Sequence, residues 1–218
     1  ALSSAASDVY KRQNLRSVTF PRTFSNANGP VSGSIDVSEF RGCENLKYVT
    51  AANPSLKITG GAVDTSYTFD SFKADVPAEF YLESVDSSQF HTCATNNYMA
   101  FSYLNSDGTK QNLYELTVQE TSGKKAVYRV NSSNQLVYCE FDSGLETVTM
   151  PDTVGPYQIT VIGSGIFRNN CYLRRITIPS SITTIEDSAF KGCHNLKDVI
   201  FKAVSYTHLR AHETLRHL

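Results

Sequence analysis

The sequence predicts a mainly β fold with short helices, in which segments of a repeat solenoid flank a strand–helix–strand cap and a meander of β-hairpins. Three observations predict it. Leu173-Arg-Arg-Ile-Thr-Ile-Pro179 recurs as Leu145-Glu-Thr-Val-Thr-Met-Pro151 and as Leu15-Arg-Ser-Val-Thr-Phe-Pro21. Phe190-Lys-Gly-Cys-His-Asn-Leu196 recurs as Phe40-Arg-Gly-Cys-Glu-Asn-Leu46, and more loosely from Phe167 to Leu173. The spacing from Leu173 to Leu196 is 23 residues, a period at which short supersecondary units stack on one another.

In chain order, the first array of repeats is expected over 14–74. Leu15, Val18 and Phe20 alternate with Ser17 and Thr19 in a strand closed by Pro21, and proline suits a strand end because it cannot donate to a ladder. The next strand uses Leu46, Val49 and Ala51, and Leu56 and Ile58 continue that turn before Gly60-Gly61 ends the pattern. The interval from Leu15 to Leu46 is 31 residues, and its surplus, RTFSNANGPVSGS, reads as a loop on the outer face. Residues 75–141 are expected to form the cap and connector. Val76 to Glu83 reads as a strand, Asp86-Ser-Ser as the N-cap of a short helix over 89–97, and Tyr98 to Leu104 as another strand. Leu113–Val118, Ala126–Val130 and Leu136–Phe141 then alternate between turn residues, as hairpins do. A second array follows over 142–203. Its first interval, Leu145 to Leu173, is 28 residues, with the surplus in Val154-Gly-Pro-Tyr-Gln, again read as an outer loop.

The terminal segments 1–13 and 204–218 break the repeat grammar and look like translated sequencing-adapter read-through, so they are set apart from the fold. Both ends of the body are then expected to be truncations, with the solenoid continuing past Phe201. The tails carry +2 (Lys11, Arg12, Arg210 and Arg216 against Asp8 and Glu213). Against a whole-chain charge of −1, this leaves the body near −3. His208 and His212 have the four-residue spacing of zinc ligands on a helix, but they fall in the C-terminal tail, and no metal site is assigned.

The repeats L-x-x-I-T-I-P and I-x-x-I-x-x-x-A-F-x-G-C-x-N-L resemble the BspA-like (Treponema-type) bacterial leucine-rich repeat, most closely over 142–203 and well over 14–50. The resemblance implies leucine-rich-repeat solenoid segments in a secreted or cell-surface bacterial protein of several modules, binding a protein ligand on host matrix or another cell. It implies no catalytic residues and no cofactor. The middle repeat departs from the pattern: Asn170 takes the cysteine slot and Cys171 follows it.

In each main strand the apolar residues point inward and their neighbours outward. That selects Ser17, Thr19, Tyr48, Thr50, Thr147, Thr149, Arg175, Thr177, Asp198 and Ile200 as a protein-binding face. Enzymatic signatures are lacking: there is no phosphate loop, no H-E-x-x-H and no G-x-S-x-G. Cys171 and His194 share a repeat position and would stack as a thiol–imidazole pair, but no third group orients them. Cys43 and Cys193 read as buried fillers of equivalent slots. A net charge near zero gives no reason for a nucleic-acid partner, and no apolar run is long enough to insert in a membrane. Two alternatives remain: a structural spacer in a wall-anchored multidomain enzyme, or a carbohydrate-binding module over 60–141, suggested by its tyrosines.

Overall fold

A computed structural model describes residues 12–22, 25–26, 29–30, 33–62 and 64–203. Residues 1–11 and 204–218, and with them His208, His212 and most of both segments set apart as adapter-like, lie outside the described residues. The elements are β1 (Ser17–Phe20), β2 (Ser25–Asn26), β3 (Gly29–Pro30), β4 (Ser34–Asp36), a 3-10 turn (Val37–Phe40), β5 (Tyr48–Ala51), β6 (Lys57–Thr59), α1 (Phe69–Asp75), β7 (Tyr81–Val85), α2 (Gln89–Asn96) and β8 (Ala100–Leu104). They continue with β9 (Lys110–Gln119), β10 (Lys125–Asn131), β11 (Gln135–Phe141), β12 (Thr147–Thr149), β13 (Thr153–Val154), β14 (Tyr157–Gln158), β15 (Val161–Ile162), β16 (Arg175–Ile178), β17 (Thr184–Ile185) and β18 (Asp198–Phe201). The mainly β repeat fold is thus the one the sequence predicts.

The two Phe-x-Gly-Cys turns are built the same way. Cys43 N–H donates to Phe40 O and Leu46 N–H to Cys43 O, and Cys193 and Leu196 repeat both bonds with Phe190 and Cys193. The glycine between Phe and Cys sits at φ +76° (Gly42) or +79° (Gly192), a left-handed conformation that costs an L side chain. In the middle repeat Asn169 takes that slot at φ +61°, asparagine being a residue that tolerates it. In these two turns the asparagine before the repeat leucine ties the turn to the one before it. Asn45 Nδ2 donates to Gln13 O and Asn195 Nδ2 to Cys171 O, both at 2.6 Å.

A nine-stranded sheet runs β1-β5-β7-β8-β9-β10-β11-β15-β17. Its first four strands are parallel, β9 to β11 are antiparallel, and β15 and β17 are parallel again. In the first array the main strands, β1 and β5, lie in this sheet while the second strands pair as β4–β6. In the second array the roles exchange. The second strands β15 and β17 join the large sheet, and the main strands form their own sheet, β12-β16-β18. One face of the large sheet therefore walls a first core (Val49, Leu82, Phe101, with Phe72 and Phe90 from the helices). The opposite face walls a second core (Tyr81, Ala100, Tyr114, Tyr128, with Val148 and Ile176). Successive residues of one strand serve different cores, since strand side chains alternate, and all five residues of β8 are buried.

Three expectations are corrected. The strand expected from Val76 begins only at Tyr81, because Pro77 opens a turn closed by Phe80 N–H to Pro77 O. A helix, α1, was not expected at all; Thr68 caps it and it buries Phe72 completely. The two insertions are not plain outer loops. The first pairs as the hairpin β2–β3. The second, β13–β14, buries Val154 completely and sets Tyr157 4.8 Å from Tyr114, ring centre to ring centre. Gly155, at φ +57°, makes that approach possible, since a Cβ there would lie 3.0 Å from the Tyr114 ring.

The turn geometry yields a test. A methyl group at Gly192 would meet Asn169 Oδ1 and force a left-handed L residue. Gly192→Ala should therefore cost about 1–2 kcal/mol, and chemical denaturation should show no comparable loss for Asn169→Gly.

Candidate functional site

The parallel registers fix where the ten candidate residues lie. Ser17 pairs with Tyr48 and Tyr48 with Tyr81, while Thr19 pairs with Thr50 and Thr50 with Glu83. Thr147 pairs with Arg175 and Arg175 with Asp198, while Thr149 pairs with Thr177 and Thr177 with Ile200. The structure thus gathers them as two groups in two different sheets, four on the first array and six on the second, rather than along one continuous face.

The two groups differ in what already touches them. On the first array the outward face becomes buried strand by strand, from exposed Ser17 and Thr19, through half-buried Tyr48 and Thr50, to buried Tyr81 and Glu83. Tyr48 stacks on Tyr81 at 5.5 Å, Tyr81 meets Tyr114 edge-on at 5.4 Å, and Tyr114 meets Tyr157. These four rings, from β5, β7, β9 and β14, carry the second core onto the first array's outward face. Thr50 Oγ1 donates to Glu83 Oε2 at 2.6 Å. Lys110 Nζ stands 2.7 Å from Glu83 Oε1 and 4.8 Å from the centre of the Tyr48 ring. Tyr48 and Thr50 are thus half-buried, each with a partner from the chain itself.

On the second array, Thr147, Thr149, Arg175 and Ile200 are exposed and Thr177 and Asp198 half-buried. Arg175 reaches Asp198 Oδ2 through Nε at 2.9 Å and Nη2 at 2.7 Å, an exposed pair of small energetic weight. Glu120 Oε1 accepts the Thr149 N–H at 3.1 Å, filling a ladder position on the free edge of β12. Burial pushes the Glu120 carboxyl up, and the Thr149 N–H pulls against that.

Sequence reasoning missed a polar cluster at the cap. Glu115 lies opposite Phe101 on the first-core face of β9 and is 4% exposed. Its carboxylate accepts from Tyr103 Oη at 2.6 Å and Arg129 Nε at 2.8 Å, and meets His91 Nε2 at 2.8 Å. Arg129 sits between the Tyr103 and Tyr138 rings, at 4.8 and 4.7 Å, and His91 stacks on Phe101 at 4.5 Å. Burial pushes the Glu115 carboxyl up, but the hydrogen bonds of His91, Tyr103 and Arg129 outweigh it and hold the group at about 2. The cluster ties α2 to β8, β9 and β10. Glu115 is buried where α2, Tyr103 and Arg129 close over that face of β9.

Cys171 and His194 are both exposed, and among the described residues no hydrogen bond joins thiol to imidazole. Cys43 is buried; Cys193 is half-buried, its thiol 2.9 Å from Phe167 O. Tyr81, Tyr103, Tyr114 and Tyr128, among the tyrosines that suggested a glycan-binding module over 60–141, are turned into the two cores.

A family model described as "BspA type Leucine rich repeat region (6 copies)" matches residues 3–133 and 131–213. No curated protein matches the chain. Among solved structures it is similar to a leucine rich cell surface protein from Faecalibacterium prausnitzii A2-165, at 16% identity and a TM-score of 0.24, over 87% of this chain and 32% of that one. The chain therefore spans about a third of that protein's length.

Glu115 gives a pH dependence of defined sign. Its folded pKa of about 2 lies below the ordinary 4.5, so its stabilisation is present above pH 4.5 and is lost as pH falls towards 2. Glu115→Gln should cost about 2–4 kcal/mol at pH 7, because it strands a half-buried Arg129. Denaturation midpoints at pH 7, 4 and 2.5 should show the variant's deficit shrinking as the wild type loses this contribution.

Proposed function

Because the chain belongs to the BspA type leucine rich repeat family, we propose that it is a non-enzymatic protein-interaction module of a bacterial cell-surface protein. Its contact face is the outward side of β12-β16-β18. The observation that carries this reading is the contrast between the arrays. The outward face of the first is largely occupied by the chain's own tyrosines, whereas Thr147, Thr149, Arg175, Thr177, Asp198 and Ile200 stay open to a partner. The threonines keep that sheet soluble, Ile200 offers apolar area at 45% exposure, and the Arg175–Asp198 pair supplies both signs of charge. Such a surface selects partners by charge placement more than by hydrophobic area. The partner class is a protein on host matrix or a neighbouring cell, and adhesion is the role this serves.

The test uses the immobilised chain against a panel of purified matrix proteins and intact bacterial cells. Thr147→Arg with Thr177→Arg, which crowd the second-array face, should reduce binding about tenfold or more. Ser17→Arg with Thr19→Arg should leave it unchanged. Loss through the Ser17 and Thr19 pair, with binding kept in the Thr147 and Thr177 pair, would place the contact on the first array instead.

A further inference from the structure

Where the two arrays meet, the chain forms a cleft of about 230 Å³. One wall comes from the segment after α1 and the start of β8, with Val76, Pro77, Phe80 and Met99; the other comes from Leu116 on β9 and the hairpin at Thr153 and Gly155. Phe80 and Met99 belong to the first core and Leu116 packs against the second, and small-molecule sites often form between such units. The cleft is smaller than drug-sized sites of ~300–1,000 Å³. The lining mixes apolar side chains with Tyr98 and Thr153 and carries one cation, Lys73. Lys73 Nζ donates to Asn97 O at 3.0 Å, which places the ammonium at the end of α2. Its other contact, to Asp70 Oδ1 at 3.1 Å, is with a side chain 91% exposed, and such a pair is weak. Among the described residues these contacts use two of the ammonium's three donors, which leaves one. A second ammonium, Lys125 Nζ, stands 5.8 Å from the centre of the Tyr98 ring, which also lines the cleft.

An apolar slot beside a fixed ammonium has the chemistry to recognise an amphipathic anion. We propose that this junction cleft binds a small apolar carboxylic acid, its hydrocarbon between Met99 and Leu116 and its carboxylate on Lys73. The ligand's carboxylate takes the ammonium's remaining donor, beside the solvated carboxylate of Asp70. This site is independent of the β12-β16-β18 face, so either reading can fail without the other.

The probe is 3-phenylpropionate, titrated into the whole chain and followed by amide and methyl NMR shifts, with 3-phenylpropanamide as its uncharged counterpart. Saturable shifts at Met99 and Leu116 are expected, with the amide and Lys73→Met each weakening binding about tenfold. Because Lys73→Met also removes a bond to Asn97, a second variant is needed. Thr153→Trp, on the exposed strand of the hairpin, fills the cleft and should abolish the shifts while circular dichroism stays unchanged. Equal binding of acid and amide, binding retained in a folded Thr153→Trp chain, or no saturation up to about 10 mM would each overturn the proposal.

Discussion

The structure depends on a sheet that is covered on both faces by different cores. In β7 and β8 alternate residues leave in opposite directions, Leu82 and Phe101 into the first core, Tyr81 and Ala100 into the second. Burying a large apolar side chain contributes ~1.5–3 kcal/mol, and these strands collect that contribution on both faces. Removing either core would turn a wall of tyrosine or of leucine and phenylalanine out to water. The two arrays are thus fixed to each other by a shared layer rather than joined by a linker.

The same constraint explains the buried charges. A strand covered on one side can place its polar residues in solvent, but a doubly covered strand has no solvated face. Glu83 on β7 and Glu115 on β9 are 1% and 4% exposed. Each meets a long cation that reaches outward: Lys110 for Glu83, Arg129 for Glu115. A carboxylate buried without such partners would cost several kcal/mol. Paired, the two glutamates fix the register of β7, β8 and β9 where the sheet passes from parallel to antiparallel. The same arrangement covers much of the first array's outward face and leaves that of β12-β16-β18 exposed.

The repeat grammar was legible because it is local. The Phe-x-Gly-Cys-x-Asn-Leu turn states its left-handed position and its hydrogen bonds within seven residues, and the outward rows of Ser17, Tyr48, Thr147 and Arg175 follow from strand alternation alone. The exchange of sheets between the arrays was not legible. It depends on β11 pairing with β15 rather than β12, a choice made by packing across the chain. For the same reason the stacking of Tyr48 on Tyr81 and the burial of Glu115 beneath α2 were not legible from the strands alone. Helix α1 is only seven residues long with little periodicity, and its buried residue, Phe72, has meaning only against the first core. The hairpin Thr153–Gln158 had the composition of a surface loop, and only the Tyr114–Tyr157 contact shows what it covers.

The most direct test of the shared sheet is native-state hydrogen exchange through a urea titration, comparing Val49 in the first core with Ile176 in the second. A layer common to both cores requires the two amides to exchange through one global opening, with the same free energy and the same urea slope. Protection that persists at Ile176 after Val49 has opened, with a smaller slope for each, would show two independent arrays and contradict the account.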